Sequence, residues 1–168
     1  MMLGTFSEED TTVPNRKAAH ANLQKQCVSC HMQTPAGSSG HTFKVTTFDL
    51  CKNCHGDPAG LVQFTTNAIL SDIQRNKAAL DFWATTAAPP QLQKYGARAW
   101  EYVNPGELSG PGSSPTTAEQ SLIPVSIQKA RFIVYLVFNE GSWGVHNGPY
   151  TGSLLAAAYK LVQDELDE

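Results

Sequence analysis

Methionine, basic side chains and long apolar runs are all scarce in this chain, and each scarcity closes off a class of function. Lys and Arg number 12 against 15 Asp and Glu, for a formal charge of −3. Without a basic stripe to neutralise phosphates, nucleic acid is not an expected partner. The longest apolar run, Phe132 to Phe138, has 7 residues. A membrane-crossing helix needs about 20, so no membrane span is expected. The opening Met1-Met2-Leu3-Gly4-Thr5-Phe6 lacks the basic and apolar regions of a secretory leader. No βαβ pattern is visible. Methionine is confined to Met1, Met2 and Met32. At 168 residues the chain is expected to be one domain, or a compact domain with extensions.

What the chain does have is cysteine in a pattern. All 4 cysteines lie in Cys27-Val28-Ser29-Cys30-His31 and Cys51-Lys52-Asn53-Cys54-His55. Four bare thiols at C-x2-C-x20-C-x2-C fit a zinc ribbon. They also fit a thioredoxin-like dithiol or a pair of structural disulfides. The histidines choose between these readings. With 5 histidines in 168 residues, one after both pairs by chance is roughly a one-in-a-thousand event. A four-cysteine zinc site needs neither of them. Cys-x-x-Cys-His is instead the attachment signal for c-type haem. Two thiols one turn apart can form thioethers with the two vinyl groups of one porphyrin, and the next histidine presents its imidazole to the iron. Two c-type haems are therefore expected, on Cys27/Cys30 and Cys51/Cys54, with His31 and His55 as proximal ligands. A haem is large and mostly apolar, so it would supply part of the core of a chain with 41% hydrophobic residues. Thioethers are formed outside the bacterial plasma membrane. An extracytoplasmic location therefore goes with a leader already removed or with a piece of a longer protein.

Residues 1–14 are polar and read as an N-terminal arm, and residues 15–168 as a single domain. Asn15 is a candidate cap for a helix running through His20, Leu23 and Cys27. Residues 34–42 form a Gly/Ser-rich loop. Asp49 is a candidate cap for a short helix carrying the second motif, with Gly56 as its stop. From about Leu61 to Thr86 the pattern is helical: Ile69, Ile73, Leu80 and Trp83 share a face, with Asp72, Arg75 and Lys77 turned away. Pro89-Pro90 ends it. Residues 104–117 are turn-rich and read as an exposed loop. Residues 124–139 have strand composition in Phe132–Phe138. Pro124 at the start, the stripe Ile127, Ala130, Val134 and Val137, and the stop at Gly141 favour helix. A last helix is expected at about 152–163, with Leu154, Leu155, Ala158 and Leu161 on one face and a solvated acidic end after it.

Each iron has a second face, and what fills it separates electron transfer from catalysis. Met32 adjoins His31 and lies on the wrong side of its own haem, so methionine ligation is poorly supported. Three histidines remain: His20, His41 and His146. His20 lies about 10 Å along the chain before Cys27 if helical, so it suits a neighbouring haem better than the first one. His41 lies in a loop that can wrap the first haem. His146 lies between two helices, where it can cover either haem.

At these residues the chain resembles the last two haem sites of the pentahaem ammonia-forming cytochrome c nitrite reductases. The resemblance is carried by His20-Ala21-Asn22, Cys27 to Met32, Gly40-His41-Thr42-Phe43 and Cys51 to His55. Arg131 to Tyr150, with Gly141-Ser142 before His146, resembles the C-terminal helix and distal-histidine segment of that superfamily. The likeness covers roughly residues 20–60 and 130–160 and leaves 61–129 unmatched. The loop before His41 is shorter than in the family. The resemblance implies that His20 ligates the Cys51/Cys54 haem and His146 the Cys27/Cys30 haem. It also implies that His41 is spare or serves a haem of another chain or domain. The family's catalytic haem, attached through Cys-x-x-Cys-Lys, has no counterpart, so the resemblance implies a haem-packing module and not nitrite reduction.

The expected fold is mainly α, a small helical multihaem cytochrome c organised around two covalent haems. The expected function is electron transfer through two bis-histidine irons of low potential, not catalysis. Redox proteins, or copies of the chain in a homo-oligomer or filament, are the expected partners. The expected place is the periplasm or cell surface of a bacterium or archaeon. Two readings compete: a haem enzyme with one open iron face reducing a small nitrogen or oxygen species, and a structural zinc ribbon.

Overall fold

The computed structural model of the chain describes Gly4, residues 13–32 and residues 44–168. Most of the expected arm, the 34–42 loop and His41 lie outside the described residues. Among those described, the secondary structure is helical and no strand occurs.

The described residues form four α-helices: α1 (Cys27–His31), α2 (Pro58–Thr86), α3 (Val125–Glu140) and α4 (Gly148–Leu166). The long α2 starts where Asp57 Oδ1 accepts the Gly60 N–H at 3.0 Å, with Pro58 in the first turn. Its start is therefore three residues earlier than the apolar pattern suggests, because the cap lies outside the apolar stripe. Ile69, Ile73, Leu80 and Trp83 are all buried, as their spacing requires. The Phe132–Phe138 run is helix, within α3, and Ile127, Ala130, Val134 and Val137 face inward. Gly141 ends α3 at φ 75°, a left-handed C-terminal residue that glycine adopts without strain. The last helix begins four residues earlier than expected, at an Asn147 cap whose Oδ1 accepts the Tyr150 N–H. At its far end Glu165 accepts from the Ser126 hydroxyl, so that part of the acidic end is tied down and not simply solvated.

α2, α3 and α4 pack on one another, and the 93–100 segment closes against α2. Their shared core holds Trp83, Leu92, Trp100, Ile133, Leu154 and Leu155, each at most 1% exposed. Hydrogen bonds cross it, although, among the described residues, Asn76 Oδ1 and Arg131 Nε are buried without a partner. Asn76 Nδ2 donates to the Leu155 carbonyl at 3.1 Å, bridging α2 to α4. Trp100 Nε1 donates to Asp81 Oδ1 at 2.9 Å. Glu101 is fully buried and accepts from the Tyr135 hydroxyl at 2.5 Å and from the Tyr102 N–H at 3.2 Å. Arg131 donates to the Trp100 carbonyl at 2.8 Å, and its guanidinium stacks 3.8 Å over Tyr102. Burial, then the Glu101 carboxyl, pushes the Tyr135 phenol above its ordinary value. Residues 104–117 contain no helix, in line with their turn-rich sequence.

The motif end is built differently. Residues 13–32 and 44–57 bury one hydrophobic side chain, Ala21. The continuous helix expected from Asn15 through Cys27 does not form. A 3-10 turn at Ala19–Asn22 stops at Leu23, which is extended, and Gln26 at φ 40° breaks the path before α1. The run Asn22 to Gln26 offers only Leu23 as an apolar anchor, so no packed face holds a helix there. The second motif is a 3-10 turn, Cys51–Asn53, that Asp49 does not cap. Asp49 pairs instead with Lys52 Nζ at 2.8 Å and the Thr47 hydroxyl at 2.7 Å.

Two outcomes are expected from this division. Tyr135→Phe leaves the buried Glu101 carboxyl short of a donor, so the fold should lose about 1–3 kcal/mol, measured by urea unfolding. Replacing Cys27, Cys30, Cys51 and Cys54 together by Ser should keep the far-ultraviolet helix signal and cooperative melting, because the α2–α4 core contains none of them. Loss of the helix signal would show that the body depends on the motif end.

Candidate cofactor site

The two motifs come together beside the α3–α4 turn. Residues 141–147 form a tight loop with Gly141, Trp143 and Gly144 at φ 75°, 45° and 90°. A Cβ on Gly144 would stand 2.8 Å from Ile69 Cγ1 and 3.0 Å from Thr65 Cγ2, so the loop is pressed against α2 and admits no side chain there. His146 is thereby carried on a rigid support. Its neighbour Asn147 also reaches the motif end: Nδ2 donates to the Arg16 carbonyl at 2.5 Å.

A cavity of about 690 Å³ opens between these parts. Its walls include His20, His55, His146, Cys30, Cys51 and Cys54. The volume lies within the range of about 300–1,000 Å³ usual for cofactor and small-molecule sites. Cys27 and Cys54 are exposed, Cys30 and Cys51 half-buried, and none of the four is in a disulfide. Burial, then the neighbouring Cys51 and Cys27, pushes the Cys30 thiol up. The influence of Cys51 reflects how closely the two motifs approach.

The histidines form two pairs. His20 faces His55 with ring centres 6.0 Å apart and planes at 69°. His31 faces His146 at 5.9 Å and 66°. Each pair joins one motif histidine to one histidine from elsewhere in the chain. Two imidazoles bound to opposite sides of one metal, at about 2.0–2.1 Å per bond with each ring centre about 1.1 Å further out, have centres roughly 6.2–6.4 Å apart. Both pairs fall a few tenths of an ångström short of that. Edge-to-face ring contact covers the same distances, so spacing alone does not choose; the partners in each pair carry the greater weight. His41 lies outside the described residues and cannot be placed.

Glu140, the last residue of α3, is a part of the site that the motifs do not reveal. His146 Nδ1 is hydrogen-bonded to Glu140 Oε1. Glu140 Oε2 accepts from the Ser142 N–H at 3.0 Å and the Ser142 hydroxyl at 2.5 Å. Burial raises the Glu140 carboxyl, but the hydrogen bonds from His146 and Ser142 outweigh it and hold the group down to about 2. An ionised carboxylate only accepts, so Nδ1 of His146 is the donor, and Nε2 is the ring nitrogen left to face the site. The sequence signal was a carboxylate six residues before the histidine, across a glycine stop.

No family model, curated protein or solved structure matches this chain. Among the described residues, no three or more His, Cys, Asp or Glu side chains are grouped to hold a metal ion. No described helix is long and apolar enough to cross a membrane.

Proposed function

We propose that the chain is an electron-transfer c-type cytochrome with two haems, one on Cys27 and Cys30, the other on Cys51 and Cys54. The observation that carries the reading is the double histidine pairing, His31 with His146 and His20 with His55, each at a separation close to that of two imidazoles on one metal. In each pair the motif histidine is the proximal ligand and the other is distal. A haem iron held between two imidazoles supplies one-electron exchange between its ferric and ferrous states, at low potential, without an open face for substrate. The surrounding residues fit such a group. Among the described residues the motif end buries a single hydrophobic side chain of its own, and the adjoining cavity has Leu23, Leu50, Val145 and Pro149 among its walls. A large apolar body there would take the place of a side-chain core.

The chain works outside the cytoplasm, in the periplasm or at the surface of a bacterial or archaeal cell, where thioether attachment takes place. It exchanges electrons with redox proteins or with copies of itself in a homo-oligomer or filament. Support for contact at this end comes from exposure. Val28, Leu50, Leu61 and Phe64, in or just after the motif segment, are 52%, 53%, 46% and 74% exposed. Sedimentation of the holoprotein should give a species larger than one chain; a strict monomer at high concentration favours a soluble shuttle.

The ligand assignment is tested by carbon monoxide, which binds a ferrous haem only at an open face. The unaltered protein should bind none. His146→Ala should open one iron and His20→Ala the other, with the remaining haem closed in each. Binding by the unaltered protein would favour an enzyme with an open face. If His41→Ala opens the first iron while His146→Ala does not, the loop histidine is the distal ligand and the proposed pairing is wrong.

A further inference from the structure

We propose that Glu140 is a positioning residue for the His31/His146 iron site, fixing His146 with Nε2 as the ligating nitrogen and lowering the reduction potential of that one site. The inference rests on the haem reading above and goes beyond it, because the motifs treat the two sites as equivalent.

The geometry is asymmetric. His146 Nδ1 donates to a carboxylate that ends a helix and is itself gripped by both Ser142 donors. Among the described residues, neither His20 nor His55 is paired with a carboxylate. A histidine whose second nitrogen donates to a carboxylate is a more basic ligand and its ring is held in one tautomer and one orientation. Greater basicity favours the more positive ferric ion over the ferrous ion, so the potential falls. A charged acceptor does this more strongly than a neutral amide of the same shape. The support is rigid. Gly141 terminates α3 directly after Glu140, and the 141–147 loop is pressed on Thr65 and Ile69 of α2. Ser142 also takes the His146 N–H on its hydroxyl oxygen at 3.4 Å, so carboxylate, serine and histidine form one closed unit.

The test is spectroelectrochemical titration of the holoprotein, with the haem count checked for each variant. Glu140→Gln keeps the shape and an acceptor oxygen but removes the charge. One of the two midpoint potentials should rise, the other should stay, and two haems should remain attached. Ser142→Ala removes a donor from Glu140 Oε2 and leaves the carboxylate a stronger acceptor toward His146. The same couple should then move downward. That variant replaces neither a ligand nor the carboxylate, so it carries the test if Glu140→Gln fails to fold. Potentials that do not move, or that move together, in a protein with both haems attached would overturn the role of Glu140 and leave the haem reading standing. A wild-type protein without covalent haem rejects both.

Discussion

Asn147 holds the two halves of the molecule together. Its Oδ1 caps α4 while its Nδ2 takes the Arg16 carbonyl, 131 positions away in the chain. Among its described residues the motif end buries one hydrophobic side chain, Ala21, consists of short turns, and also sets Val13 against the helical core. The same loop carries His146 and is shaped by Gly144, which lies too close to α2 for any Cβ. The helical body thus acts as a rigid frame. It fixes His146 and Glu140 at the edge of the segment that carries the two Cys-x-x-Cys-His runs.

The body and the motif end obey different physics. α2, α3 and α4 enclose a side-chain core crossed by hydrogen bonds such as Asn76 to Leu155 and Tyr135 to Glu101. The described part of the motif end, residues 13–32 and 44–57, contributes His20, Cys30, Cys51, Cys54 and His55 to the walls of a cavity instead of a packed core of its own. On the proposed reading a haem would take the place of such a core.

What could be read in the sequence was what depends on near neighbours. The stripe Ile69, Ile73, Leu80 and Trp83 identified α2, and Pro124 with Gly141 bracketed α3 despite its strand-like composition. Helix starts were missed where the cap lay outside the apolar pattern, at Asp57 and Asn147. The helix expected before Cys27 does not form, because a cap at Asn15 cannot hold a helix that has no apolar face to pack. The iron partners of His20 and His146 were implied by resemblance; the structure sets the His20 ring beside His55 and the His146 ring beside His31, and that each pair holds an iron is a proposal. Glu140 was out of reach, because a carboxylate six residues before a histidine means nothing until the turn between them is known.

The central claim is that each Cys-x-x-Cys-His run holds one covalent haem. The intact mass of the denatured protein, purified from cells able to attach haem outside the cytoplasm, tests this most directly. The account predicts the polypeptide mass plus two haem groups, which denaturation does not release. A bare polypeptide, a single haem, or a zinc ion lost on denaturation would contradict it.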